Sequence, residues 1–274
     1  MRDAKRHLTV RRPGAPLADF VELLWHATGT PGERLEEVLP FGKAQLFINL
    51  KEDGVRWVRT GEDRLRMKGI VLQGPMLRPM LIDPRDQARL VGATFHGWGL
   101  APLVSPPVSS LRDQLVSLDD VGPGVDLAVL PDRLREAPSP SMCLAVFEAA
   151  LSRCFSAQGV NGAVRNAACR LDGAGDLSIA RLRDELGLTS RSFSREFEAA
   201  VGMRPKMWQR VRRFRRSLGR LEAGEAATRV SRDLGWSDQP HFNHEFLHFS
   251  GRSPHRYLRS ERSYQGHVVV GSER

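Results

Sequence analysis

Apolar side chains recur along this chain in two different ways, and the change falls near residue 140. Over the first part they come in short runs broken by Gly, Pro and charged pairs. Leu17 to Trp25 reads as a first strand or a short helix. Ala44 to Leu50 reads as a strand, followed by a turn at Glu52-Asp53-Gly54 and a strand from Val55 to Arg59. Lys68 to Gln73, Met80 to Ile82 and Leu90 to Phe95 add further short strands, and Gly97-Trp98-Gly99-Leu100 ends the run. Strands at this spacing predict a small sandwich or barrel. Val108 to Val121 and Gly122-Pro123-Gly124 read as loop and connector. A short helix, Leu127 to Leu134, is ended by the Pro138-Ser139-Pro140 linker.

Beyond the linker the period becomes helical. Met142 to Phe155 carries Leu144, Val146-Phe147, Ala150-Leu151 and Phe155, an amphipathic helix that either packs on the first half or pairs with a second copy. A supporting helix runs from Val160 to about Leu171, and Asp172 to Asp176 is a turn. Ser178 caps a helix from Ile179 to Leu186. From Thr189 to Val201, Phe193, Phe197 and Val201 point inward, while Arg191, Ser194 and Arg195 point outward. Pro205 to Leu221 spaces Val211, Phe214, Leu218 and Leu221 helically and is crowded with arginine, including Arg213, Arg215 and Arg216. Such a run is a solvated face or, between two readers, a backbone contact for a polyanion. In Leu234 to Leu258, Asp238 caps a helix with Pro240 in its first turn. Phe242, Phe246 and Phe249 form its apolar face, so Gln239, Asn243 and His244 point away; Gly251 stops it and Ser253-Pro254 opens another helix.

The same phrase occurs twice. Leu186-Gly187-Leu188-Thr189 matches Leu234-Gly235-Trp236-Ser237, and Phe193, Phe197, Gly202 and Pro205 match Phe242, Phe246, Gly251 and Pro254, with one extra residue in the second copy's turn. Two helix-turn-helix units joined by one long helix resemble the DNA-binding domain of the AraC/XylS family of transcription regulators, over about residues 160 to 262. The resemblance implies an α+β two-domain protein, with a β-rich (barrel- or sandwich-like) sensor or oligomerisation domain over 1–140. It further implies a connecting helix over 141–157, the DNA-binding domain over 158–262 and a tail over 263–274. It places Arg191, Ser194, Arg195, Gln239, Asn243 and His244 where family members contact base edges or phosphates. Arg suits guanine and Gln or Asn suits adenine, whereas Arg195 and His244 fit phosphate equally well. The family has Ala four residues before the turn glycine; this chain has Arg183 and Ser231 there. Leu39-Pro40, Leu46 to Leu50, Gly92 to Phe95 and Gly97-Trp98-Gly99 look, more loosely, like the amino-terminal sensor-type domain of some members.

Charge strengthens this picture. Residues 158–262 hold 20 Lys/Arg and 12 Asp/Glu, whereas residues 1–157 hold 20 and 19, so nearly all of the net +9 lies where a polyanion would bind. Cys143, Cys154 and Cys169 lack metal-ligand spacing and read as reduced, mostly buried thiols. The start has no apolar leader and no run reaches membrane length, so a cytoplasmic protein is expected. His7, His26 and His96 are too scattered for a metal-dependent oxygenase. No nucleophile elbow, phosphate loop or dinucleotide fingerprint is present, and Glu36-Glu37 and Asp119-Asp120 read as solvated pairs in loops. His241, His244 and His248 share a helical face, but their alignment with reader positions favours DNA or plain surface over a metal. No enzyme, metal or cofactor is therefore expected. Trp25, Trp57, Gln73, His96 and Trp98 are candidates to line a pocket for a small effector, with ordinary core roles as the blander reading. Expected partners are double-stranded DNA, RNA polymerase, an effector and a second copy, with no membrane. Two rivals are an alkylation-repair type enzyme fused to this domain and a ligand-independent dimeric DNA-binding protein.

Overall fold

The structure, a computed structural model, describes residues 7–30, 32–52, 54–58, 64–122, 127–155, 160–173 and 177–271. Two antiparallel six-stranded sheets form its β-rich part. The first sheet, in spatial order, is β1 (His7–Arg11), β2 (Val21–Thr28), β9 (Arg89–Phe95), β4 (Gln45–Asn49), β7 (Ile70–Gln73) and β10 (Leu115–Ser117). The second is β11 (Arg262–Tyr264), β12 (His267–Val269), β3 (Glu36–Val38), β8 (Met80–Asp83), β5 (Val55–Val58) and β6 (Arg64–Met67). Alternation along the strands makes two cores. Leu24, Leu46, Ile48, Leu72, Val91, Ala93 and Phe95 share one core with the buried side of α3 (Pro140–Cys154). Val71 and Leu90 of the first sheet meet Val55, Met80 and Ile82 of the second in another, with Trp25, Phe47 and Trp57 packed against it. The amphipathic helix thus packs on the first half through Cys143, Leu144, Phe147, Ala150, Leu151 and Cys154.

The remaining helices are α1 (Leu118–Val121), α2 (Leu130–Arg135), α4 (Gly162–Gly173), α5 (Ile179–Glu185), α6 (Ser190–Val201), α7 (Pro205–Glu222), α8 (Ala227–Asp233), α9 (Gln239–Ser250) and α10 (Pro254–Arg259). Side-chain caps start most of them: Ser178, Thr189, Asp238 and Ser253 accept from the backbone N–H of Arg181, Ser192, His241 and Arg256. Both reading helices end at a left-handed glycine, Gly202 at φ 85° and Gly251 at φ 70°. A third core fills the helical half and draws in Leu39, Trp98 and Val268 from the β-rich part. There α7 presses Val211 and Trp208 onto Gly42 and Gly97, where a Cβ would stand 2.7 and 2.6 Å from those side chains.

The fold departs from the sequence pattern at several points. Leu17 to Trp25 is both alternatives at once, a 3-10 turn at Leu17–Asp19 and then β2. Val108 to Val121 is a 3-10 turn (Val108–Leu111), β10 and α1, not a plain loop. Glu36 and Glu37 are not a solvated loop pair: they lie on β3, Glu36 is 2% exposed, and Glu37 is bound by Arg252. The β11–β12 hairpin begins at Arg262, the last residue of the expected DNA-binding domain, and runs through the expected tail to Val269, and β12 pairs with β3. Asp53, Arg59 and Pro123 to Gly124 lie outside the described residues.

Candidate nucleic-acid interface

Each helix-turn-helix unit is a short helix, a glycine in left-handed conformation and a reading helix. Gly187 (φ 65°) stands between α5 and α6, and Gly235 (φ 78°) between α8 and α9. In α6, Phe193, Phe197 and Val201 are buried and fix the opposite face outward. Arg191 and Arg195 are exposed there, with Ser194 half-buried beside them. Neither arginine has a hydrogen bond or ion pair among the described residues. In α9, Phe242, Phe246 and Phe249 are buried and Asn243 and His244 are exposed. Gln239 donates to Asn243 Oδ1 across one turn (3.3 Å), and its Oε1 acceptor has no partner among the described residues. Arg183, where a small residue is usual, turns toward Asp184 and remains half-buried, so α5 packs without displacing Leu182 from the core. His241 meets Ser237 and His248 stacks edge-on to Phe249; among the described residues no cluster of three or more His, Cys, Asp or Glu side chains is placed to hold a metal ion.

The arginines of α7 behave differently from those of α6. Arg210 makes a two-pronged contact with Glu245 of α9, at 2.9 and 2.7 Å. Burial alone would raise the Glu245 carboxyl, and Arg210 outweighs it, so that carboxyl is held below its ordinary range. Arg213 is buried, donates to Gly235 O (2.8 Å) and lies over Trp236. Arg215 donates to Gln265 O (3.0 Å), and Arg216 donates to Asp172 O (2.7 Å). Arg212 binds Asp172 (2.6 Å) and Phe41 O (2.7 Å), while Arg220 reaches Glu225 and Asp233. Thus the run crowded into one helix radiates to α4, α9, β-rich loops and the β11–β12 hairpin. Arg213 is buried and Arg215 and Arg216 are half-buried, each donating to a backbone carbonyl of the fold, whereas Arg191 and Arg195 are exposed.

Two family comparisons bear on this geometry. Residues 182–260, which span both units, match a family described as a helix-turn-helix domain, and residues 9–117 match a domain of unknown function (DUF6597). The tandem units, their joining helix and this match agree. Residues 182–260 form an AraC-type helix-turn-helix domain, the DNA-binding part of a transcription regulator. No curated protein matches it. Among solved structures it is similar to wild-type ToxT from Vibrio cholerae strain SCE256 with an unsaturated fatty acid bound: 11% identity, 100% of both chains, TM-score 0.47. It is also similar to ToxT from Vibrio cholerae O395 bound to (E)-4-(8-methylnaphthalen-1-yl)but-3-enoic acid: 12% identity, 92% of this chain and 98% of that one, TM-score 0.48. No helix of the regulator among the described residues is long and apolar enough to cross a membrane.

The residues expected to line an effector pocket separate into two places. Trp25 packs over Gly92, where a Cβ would stand 2.3 Å from its ring, and Trp57 belongs to the same inter-sheet core. Both indole N–H groups are buried with no hydrogen-bond partner among the described residues. Gln73, on the same face as Val71, donates to Met76 Sδ (2.8 Å) nearby. His96 and Trp98 instead belong to the junction of the regulator's two halves. They stack on each other at 4.9 Å, and Trp98 Nε1 donates to Asp19 O (3.0 Å). Burial lowers the His96 imidazole. Lys43, which no local pattern singled out, is 4% exposed here and bridges Glu22 (2.7 Å) to Asp172 (2.9 Å). Burial alone would raise Asp172; Arg212 and Lys43 together hold it low.

Proposed function

We propose that the regulator binds duplex DNA in a sequence-specific manner through both units, with α6 and α9 each entering a major groove. One contrast supports this most: Arg191 and Arg195 are exposed on α6 with no hydrogen bond or ion pair among the described residues, while the α7 arginines bond to other parts of the fold. In this reading Arg191 takes guanine, Gln239 and Asn243 take adenine, and Ser194, Arg195 and His244 contact base or phosphate. Arg213, Arg215 and Arg216 position α7 and have no direct role at DNA. The 18 residues of α7 make a rod of about 27 Å, near the one-turn spacing of successive major grooves. Bound near a promoter in the cytoplasm, a dimeric regulator recruits or obstructs RNA polymerase.

In the same reading the β-rich half takes a small effector at its inter-sheet core, next to Trp25, Phe47 and Trp57, whose two indole N–H groups have no partner among the described residues. The fit is an apolar body bearing hydrogen-bond acceptors. An alkylation-repair chemistry is less well supported: burial pushes the Cys143 and Cys154 thiols up, away from a reactive thiolate.

Selection of genomic fragments by the purified regulator, followed by sequencing and footprinting, tests the reading. The expected footprint covers two turns on one face, about 20 base pairs per protomer, and Arg191→Ala with Arg195→Ala erases one of them. A native footprint of one turn, unchanged by the double substitution, would assign reading to the second unit alone.

A further inference from the structure

The β11–β12 hairpin follows the DNA-binding helices in sequence but belongs, in space, to the other half. β12 adds itself to β3 as an antiparallel strand, with His267 opposite Val38, Val268 opposite Glu37 and Val269 opposite Glu36. Leu39 N–H to Gly266 O (2.7 Å) and Val270 N–H to Leu35 O (2.9 Å) extend the ladder at both ends. Ion pairs flank it, Arg252 with Glu37 and Arg34 with Glu261. On its other side the hairpin is held by the joining helix: Arg215 donates to Gln265 O, and Gly266 N–H donates to the Tyr257 hydroxyl (3.3 Å), which itself donates to Glu222. One strand therefore fastens α7 and α10 to the wall of the inter-sheet core.

The state fastened in this way crowds the first reader. The 3-10 turn Val108–Leu111 sits against α6. Gly202, at the end of α6, has room for no side chain beside Pro75 and Val108, and Arg112 donates to Gly202 O (3.3 Å). Pro107 and Ser109 form one wall of a cleft of about 700 Å³ whose other wall includes Arg191, Ser194 and Arg195. A helix seated in a major groove about 12 Å wide is flanked by phosphate walls on both sides. On one flank of α6 the far wall of that cleft is protein, standing where a phosphate wall would have to fit. Arg191 and Arg195 are themselves exposed within the cleft, as Asn243 and His244 are on the second reader.

We infer that the β11–β12 hairpin is a latch: while β12 is paired with β3, the amino-terminal half stays against α6 and the first unit is kept from DNA. Full two-unit binding follows release of this strand. The inference rests on the DNA-binding reading above. Because β3 pairs with β8, which in turn pairs with β5, and β8 and β5 line the inter-sheet core, a ligand there acts next to the strand that holds the latch.

A reversible cross-link tests it. His267 and Val38 are directly opposed and make a non-hydrogen-bonded pair, whose Cα atoms are typically about 4.5 Å apart, within disulfide range. The full chain carrying His267→Cys and Val38→Cys, with Cys169→Ser to remove the exposed thiol, is titrated with a duplex selected from genomic fragments. The reduced form is expected to bind at least about tenfold more tightly than the oxidised form, since apparent affinity scales with the open fraction. Reductant should restore binding. Separately, Arg252→Glu, which sets like charges across the pairing with Glu37, is expected to tighten binding in the otherwise unaltered chain. Equal affinity of the oxidised and reduced forms overturns the latch. A chain that binds no duplex in either redox state, nor with Arg252→Glu, overturns the DNA-binding reading and the latch with it.

Discussion

In the first helix-turn-helix unit, a Thr-capped reading helix carries two uncommitted arginines over Phe193 and Phe197, and the amino-terminal half leans on one flank. In the second, an Asp-capped helix carries amides and an imidazole over a much denser aromatic core. Phe246 there meets Phe214, Phe242 and Tyr257, and Trp236 meets Phe242 from the turn. One unit is rich in electrostatic hold and poor in aromatic packing; the other is the reverse. On the DNA-binding reading proposed above, the pair divides two tasks, attraction to a polyanion and stable presentation of base-reading groups.

The largest effect that sharpens this contrast is on stability. Phe246→Ala and Phe193→Ala both empty fully buried sites, and each is expected to cost about 3–5 kcal/mol. Phe246 stands at the top of that range because each lost aromatic pair adds about 0.5–1.5 kcal/mol. Denaturant midpoints measure the difference, and equal losses would remove the packing half of the comparison. The next effect is on recognition. Arg191→Ala, Gln239→Ala and Asn243→Ala are each expected to lose about 1–3 kcal/mol at a single base-pair position, read from a panel of operator variants. Arg216→Ala should lower the denaturation midpoint and leave the salt slope of DNA binding alone. A shallower slope with that variant would return α7 to the phosphate contacts. The smallest effect belongs to Arg183→Ala. With its guanidinium on neighbouring Asp184 and clear of the core, the substitution is expected to change stability by no more than about 0.5 kcal/mol; a larger change would show that the first unit is packed around this arginine.

What could be read from residue order was whatever a helix or strand determines within a few positions. The Phe193/Phe197 and Phe242/Phe246 spacings, the caps at Ser178 and Asp238 and the turn glycines define both units locally, and the structure places all of them as their periodicity implied. What could not be read depended on distant partners. Arg212 binds the carbonyl of Phe41, 171 residues away, and nothing near Arg212 announces it. Arg213, Arg215 and Arg216 look alike in sequence, yet each answers to a different element of the fold. Glu36 and Glu37 lie in a three-residue strand too short to show alternation, and their partners Arg252 and His267 are more than 200 residues ahead. Trp98 was visible as a large aromatic, but only the packed halves show that its ring seals a junction.

The pairing of β12 with β3 also has a consequence for synthesis. Glu36 and His267 are separated by 231 positions, so β3 leaves the ribosome long before its partner strand exists. Amino-terminal segments generally fold first as a chain emerges, and throughout that interval the second sheet presents β3 as a bare edge, the feature most prone to pair with a neighbouring chain. The carboxylates of Glu36 and Glu37 on that short strand, which later receive His267 and Arg252, meanwhile place negative charge on the edge. Residues that join the halves in the finished protein thus also guard the nascent one against aggregation.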